Sequence, residues 1–209
     1  MKNNKIKLDK KNLQVNYKLK KDETCRIDKN KNYISITIMK KPALVIGYSN
    51  ATQYGDYIVT LDYDDVSKDI VLEDAQFIQK NFKLTPFYLF TTKQKRKNNN
   101  TIGNYHLISL SKVDYNTFQD ILNVSRCDNK YKTMNRRNPF RSWVIRLSDK
   151  GKRHKPEFLN IVGEKNNLNV SISKAHLILL KKAYKLPQIN YKNLDGGKIV
   201  KFHTYETFV

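Results

Sequence analysis

The segment Leu61-Asp62-Tyr63-Asp64-Asp65 follows an apolar, β-branched run, Tyr57 to Leu61, a pattern that predicts a buried central strand ending in acids. Asp62 and Asp64 are two apart, so on a strand both side chains leave one face with roughly 6.6 to 6.8 Å between their Cα atoms. Carboxylates held that close repel each other unless a divalent cation neutralises them. The pair could share a metal or bridge two, or it could simply open a polar loop, since Asp-x-Asp is a common pattern. Asp65 lies outside the pattern. His106, in Gly103-Asn104-Tyr105-His106-Leu107-Ile108, falls on a strand whose flanking residues Tyr105 and Leu107 take the other face. An imidazole there could donate to a phosphate, or serve as an ordinary hydrogen-bonded histidine of a sheet. Asp128, in Ser125-Arg126-Cys127-Asp128, follows a helical segment at the point where the chain should return to the sheet edge. A third carboxylate there would complete a metal site.

The elements that must carry these residues can be read from periodicity. Alternation over Leu13 to Leu19 and Tyr33 to Met39, then the run Ala43 to Ile46, predicts strands joined by basic turns. After Tyr57 to Leu61, the stripe Val71, Leu72, Ala75, Phe77, Ile78 and Phe82 predicts a helix, and Pro86 separates it from a strand at Phe87 to Phe90. Tyr105 to Leu110 reads as a strand, Tyr115 to Val124 as a helix, and Ser142 to Leu147 and Phe158 to Val162 as strands. His176 to Tyr184 is an amphipathic helix before Pro187, and Lys198 to Phe202 an edge strand. Strands alternating with helices imply an α+β domain, an α/β sandwich over one sheet.

The chain has 209 residues, enough for one well-buried domain or a core with a small appendage. Lys plus Arg number 40 and Asp plus Glu 19, so the formal charge is 40 − 19 = +21. With 39% hydrophobic residues the chain can offset its ordering entropy, which excludes global disorder. Abundant Lys beside abundant Asn is also what an AT-rich genome writes onto a surface. The basic residues nonetheless cluster: Lys93, Lys95, Arg96 and Lys97 in one loop, Arg136, Arg137 and Arg141 around another, and Lys150, Lys152, Arg153 and Lys155 in a third group. Such clusters near Tyr and Phe favour phosphate backbones; the loop Lys93 to Asn100 reads as a basic hairpin that grips template or nucleotide phosphates, with a merely solvated loop as the alternative. Trp143 and the many Tyr could stack on bases or belong to the core.

Several classes are excluded. Cys25 and Cys127 show no CxxC or CxxH spacing, so neither a disulfide framework nor a zinc finger is predicted, and the compartment reads as reducing. No P-loop pattern occurs, so an NTP-driven motor of the common kind is absent and helicase activity would need another protein. His106, His154, His176 and His203 never form the His-x-His pair of a rolling-circle relaxase. The start of the chain lacks the apolar stretch of a signal peptide, and the aliphatic run Ala175 to Leu180 is far too short to span a bilayer. A soluble intracellular protein with no membrane partner is expected.

In order and strand context, Leu61-Asp62-Tyr63-Asp64, Asn104-Tyr105-His106 and Cys127-Asp128 resemble the three motifs of the archaeo-eukaryotic primase superfamily (AEP), the primase-polymerase or PrimPol group. Those motifs are hydrophobic-Asp-x-Asp, small-x-His and hydrophobic-Asp on successive strands. The resemblance covers about residues 57 to 160. Asn104 stands where Ser or Gly is usual, and the family's zinc-binding insert has no counterpart. What the resemblance implies is an RRM-like AEP catalytic core over residues 57–165, a small strand-rich N-terminal module over 1–56, and a C-terminal helix and strand over 166–209 completing the same domain. It further implies that Asp62, Asp64 and Asp128 are catalytic and hold two Mg²⁺ or Mn²⁺ ions, and that His106 meets the phosphates of the incoming nucleotide. Arg146, on one strand face with Ser142, and Lys155 match more loosely the basic residues that approach the nucleotide in these enzymes. Arg146 could equally be a surface salt-bridge partner.

The activity so implied is a metal-dependent DNA primase or polymerase, a nucleotidyltransferase making or extending primers in plasmid or viral DNA replication, in the cytoplasm of a cell or host. Its partners would be a single-stranded DNA template, gripped by Lys93, Lys95, Arg96 and Lys97, nucleoside triphosphates, and a separate helicase. Two other classes fit the same residues: a non-catalytic RRM-like nucleic-acid-binding protein, and a metal-dependent nuclease.

Overall fold

The computed structural model describes residues 5–8, 23–29, 34–40, 43–97, 100–133, 142–149, 154–165, 169–197 and 202–207. The chain divides into two units, Met1–Leu44 with Glu206–Val209, and Val45–Tyr205. The first contains β1 (Lys5–Leu8), β2 (Glu23–Lys29) and β3 (Ile34–Lys40), an antiparallel sheet with β3 in the middle. Ile36 sits opposite both Ile6 and Ile27. The strand read at Tyr33 to Met39 is β3, whereas Leu13 to Leu19 lies outside the described residues.

The second unit is built on β5 (Tyr57–Ser67), whose first five residues are buried. Ser67 ends the strand and caps α1 (Lys68–Phe82), its side chain accepting the Ile70 N–H. Val71, Asp74, Ala75, Ile78 and Gln79 form the buried stripe of that helix, the spacing an amphipathic helix needs. Lys83, at φ 52°, closes it in the left-handed conformation. Then come β6 (Phe87–Lys97), β7 (Asn100–Val113), α2 (Tyr115–Val124) capped by Asp114, and β9 (Glu157–Val162). The sheet order is β5-β7-β6-β9, with every neighbouring pair antiparallel. β5 and β6 therefore run parallel, joined through α1, with β7 inserted between them, a split βαβ arrangement. The molecule is thus α+β, as the alternation of elements predicted.

A smaller sheet joins β4 (Ala43–Ser49) to β8 (Val144–Arg146) on one side and β10 (Phe202–Thr207) on the other. The predicted edge strand at Lys198 to Phe202 meets β10 only at Phe202, and residues 198–201 lie outside the described ones. The basic segment read as a hairpin loop is part of one: Lys93 to Lys97 of β6 pair residue by residue with Asn104 to Asn100 of β7, so the strands run on through the basic residues. α3 (Asn129–Lys132) and α4 (Lys174–Ala183) complete the unit.

The two faces of the large sheet are filled differently. Tyr63 points toward α1, where its hydroxyl meets Asp74. On the other face Thr60 bonds Tyr131 at 2.6 Å, Tyr184 lies against Phe90 at 4.7 Å between centroids, and Tyr88 bonds Tyr191. Among the described residues no helix is long and apolar enough to cross a membrane.

His176 fastens α4 to β4 and gives the fold an acid-sensitive joint. Its ring is 1% exposed; Nε2 lies 2.9 Å from the Ser49 carbonyl and Nδ1 2.6 Å from the Ser173 hydroxyl. A carbonyl only accepts, so Nε2 carries the proton and Nδ1 accepts from Ser173. Burial holds the imidazole pKa below its ordinary value, against opposing pulls from the Ser49 bond and Asp195. Below about pH 6.5 the unfolded chain takes up a proton that the folded ring refuses, so stability is full above that pH and falls as pH drops. Thermal melts from pH 7.5 to 5.0 are expected to show a falling Tm that His176→Gln makes shallower. Equal slopes for both proteins would contradict this role.

Candidate active site

The register of the large sheet assembles the site. Asp62 is paired with His106 across β5 and β7, His106 with Phe90 across β7 and β6, and Phe90 with Phe158 across β6 and β9. Paired residues share a face, so Asp62, His106, Phe90 and Phe158 form one row across the sheet. His106 Nε2 lies 3.3 Å from Asp62 Oδ1, with the histidine side chain 7% and the aspartate 30% exposed. His106 Nδ1 is buried and has no hydrogen-bond partner among the described residues. A buried ring nitrogen left unsatisfied is costly, and the partly exposed Asp62 carboxylate is the polar group of this row that solvent reaches.

β5 continues past Asp62 rather than ending there. The ladder is regular to Tyr63 opposite Tyr105, then skips to Val66 opposite Gly103. Asp64 and Asp65 form the bulge between, both exposed, and Asp65 adopts φ 53°. The left-handed region is one that Asp tolerates better than most residues. Asn104 stabilises the bulge, its side-chain oxygen accepting the Asp65 N–H at 3.1 Å. That bond needs a side chain that Ser or Gly could not extend so far, a physical reason for Asn at this position.

Asp128 reaches the same place by its backbone. Its N–H donates to the Asp62 carbonyl at 2.7 Å, along the outer edge of β5. It is not on a strand: it is the N-cap of α3, and its carboxylate accepts the Tyr131 N–H at 3.2 Å. An Asp just before a helical turn commonly takes this role. Cys127 beside it is buried, and desolvation raises its thiol pKa to about 11, so it stays protonated at neutral pH and is no thiolate ligand. Among the described residues no group of three or more His, Cys, Asp or Glu side chains stands close enough to hold a metal ion. Asp62 and Asp128 are thus backbone neighbours, with Asp64 on the adjoining bulge, rather than a preformed three-carboxylate cage.

The basic residues predicted to meet phosphate have structural partners. Arg146 donates from Nη1 to the Ser148 carbonyl at 2.6 Å and the His154 carbonyl at 2.9 Å, closing the turn after β8. Lys155 Nζ donates to the Ala183 carbonyl at the end of α4, at 2.5 Å, and lies 4.5 Å above the Tyr184 ring. A cation at a helix C-terminus is favourably placed. Lys155 lies at the Phe158 end of the row, where it lines a cavity of about 530 Å³ together with Asp149, His154, Glu157, Phe158 and Tyr184. Lys93, Lys95, Arg96 and Lys97 lie on the β6 strand of the hairpin that leads into His106. Arg136, Arg137, Arg141, Lys150, Lys152 and Arg153 lie outside the described residues.

Sequence reasoning missed Asp74 and Arg126, which join α1 to the segment carrying Asp128. They are 52 residues apart, and neither belongs to a motif. No protein-family model, no curated protein and no solved structure matches this chain.

Proposed function

We propose that this chain is a metal-dependent nucleotidyltransferase of the primase-polymerase kind, which joins nucleotides on a single-stranded DNA template. One observation carries the reading: three segments remote in sequence meet at one point, Asp62 opposite His106 and bonded through its carbonyl to the N–H of Asp128. These are the segments that resemble the three primase motifs. The split βαβ order of the large sheet supports an RRM-like AEP core.

The donor chemistry fits the implied ions. Carboxylate oxygens suit Mg²⁺ or Mn²⁺, and Mg²⁺ is usually bound by one or two carboxylates plus substrate phosphates rather than by a closed protein cage. Asp62, Asp64 and Asp128 are the residues that would hold them. Bound there, a divalent pair would lower the pKa of the attacking 3′-hydroxyl and stabilise charge on the transferring phosphate. His106 supplies an imidazole for the nucleotide's phosphates, held beside Asp62. The cavity beyond Phe158 lies within the 300–1,000 Å³ range common for small-ligand sites and offers room on the same face. The β6–β7 hairpin and the +21 charge supply attraction for the template.

The test is incorporation of labelled nucleotide on single-stranded DNA with Mn²⁺ or Mg²⁺, compared with EDTA. Metal-dependent extension is expected. The +21 charge equally suits a second reading, a non-catalytic nucleic-acid binder. That protein would bind DNA with a steep salt dependence, indifferent to EDTA, and incorporate nothing. Degradation of DNA without nucleotides would instead mark a nuclease.

A further inference from the structure

Asp74 lies on the buried face of α1, with its side chain 6% exposed. Its Oδ2 accepts the Tyr63 hydroxyl at 3.0 Å and the Arg126 backbone N–H at 2.6 Å, and its Oδ1 accepts Arg126 Nε at 2.6 Å. Arg126 reaches on through Nη2 to the Ile70 carbonyl at 3.2 Å and to Glu73 at 3.0 Å. A buried carboxylate persists where its acceptor sites are filled, and these donors fill them from two directions.

Both donors adjoin the proposed site. Tyr63 follows Asp62 in β5, and Arg126 stands two residues before Asp128. The two chains rejoin where the Asp128 N–H meets the Asp62 carbonyl. Asp74, Tyr63, Asp62, Asp128, Cys127 and Arg126 therefore close a ring of covalent and hydrogen bonds. Side chains alternate along β5, so Asp74 grips from the face opposite Asp62. A neutral residue at 74 would take the charge-assisted bonds from the Arg126 backbone N–H and Nε, leaving the guanidinium held only through Nη2 by Glu73 and the Ile70 carbonyl.

Resting on the nucleotidyltransferase reading, we propose that Asp74 is a positioning residue: by clamping Tyr63 and Arg126 beneath the sheet it sets the spacing of Asp62 and Asp128, and so the affinity for the divalent cation. The rival explanation is a plain staple between α1 and the sheet, which would affect stability alone. Residues that orient metal ligands from behind typically change metal affinity 10–100-fold when replaced.

The experiment is Mn²⁺ binding to the full-length chain without nucleotide, followed by the electron paramagnetic resonance of the free ion. Wild type is expected to bind, the double variant Asp62→Asn plus Asp128→Asn to lose binding, and Asp74→Asn to bind about tenfold or more weakly. Ile78→Ala, a packing defect on the same helix, is expected to lower Tm yet keep wild-type affinity. Tyr63→Phe keeps the ring and removes one bond, and replaces Asp74→Asn should that variant not fold; its expected loss is about threefold, below the range for a full replacement. Wild-type affinity in the Asp74 or Tyr63 variant, with binding still dependent on Asp62 and Asp128, overturns the positioning role alone. No Mn²⁺ binding by wild type, or binding untouched by the double variant, overturns this inference; joined to no metal-dependent incorporation of nucleotide, it overturns the enzyme reading as well.

Discussion

Asp62→Asn is expected to lower template-directed incorporation by about 10³-fold at saturating Mn²⁺, with little change in Tm. Losing charge stabilisation of the transferring phosphate removes several kcal/mol, and about 1.36 kcal/mol corresponds to each tenfold in rate. The variant should fold because the side chain is only partly buried, at 30% exposure, and Asn has nearly the same shape. The bond between its carbonyl and the Asp128 N–H involves backbone alone and survives the change. The measurement is single-turnover extension of a primed template, with a melt of the same preparation. A folded Asp62→Asn that extends at the wild-type rate would refute the catalytic assignment.

Trp143→Ala should give the largest loss of stability among single changes in the second unit. Trp143 is fully buried, meets Phe118 edge-on at 4.8 Å, and donates from Nε1 to the Tyr131 carbonyl at 2.9 Å. Its backbone N–H is held by the Asn50 side chain. It therefore joins α2, α3 and the β4–β8 sheet, and its place is the core rather than a base-stacking surface. Removing a buried Trp costs about 3–5 kcal/mol. At roughly 2–4 °C per kcal/mol for a domain of this size, Tm should fall by about 10 °C or more. A drop of only a degree or two in a thermal melt would show that the indole is not the joint described.

Much of the second unit was legible because its signals are local. The stripe from Val71 to Ile78, the break at Pro86 and the β-branched run into Leu61 each specify one element through its own periodicity. The meeting of Asp62, His106 and Asp128 was legible only as an ordered set of motifs. What escaped depends on pairing between distant segments. A basic hairpin at Lys93 was legible, but not that its strands stay paired as far as Lys97 and Asn100. Glu23 to Lys29 has only Cys25 and Ile27 as apolar residues among four charged ones, too weak an alternation to mark a strand by itself. Asp64 and Asp65 look like the end of a strand because a bulge has no period of its own, and Asp128 looks like a strand residue although α3 begins beside it. The Asp74–Arg126 pair has no sequence signature, since nothing local links a helix acid to an arginine so far along the chain.

β5 is the last strand of its sheet, and an unpaired strand edge invites another chain to add to it. Here the peptide of Cys127 and Asp128 lies across that rim at Asp62. The same few atoms that gather the acidic residues also shield the rim from self-association. A variant that released this segment is expected to aggregate, so solubility would report on whether Asp128 still meets Asp62.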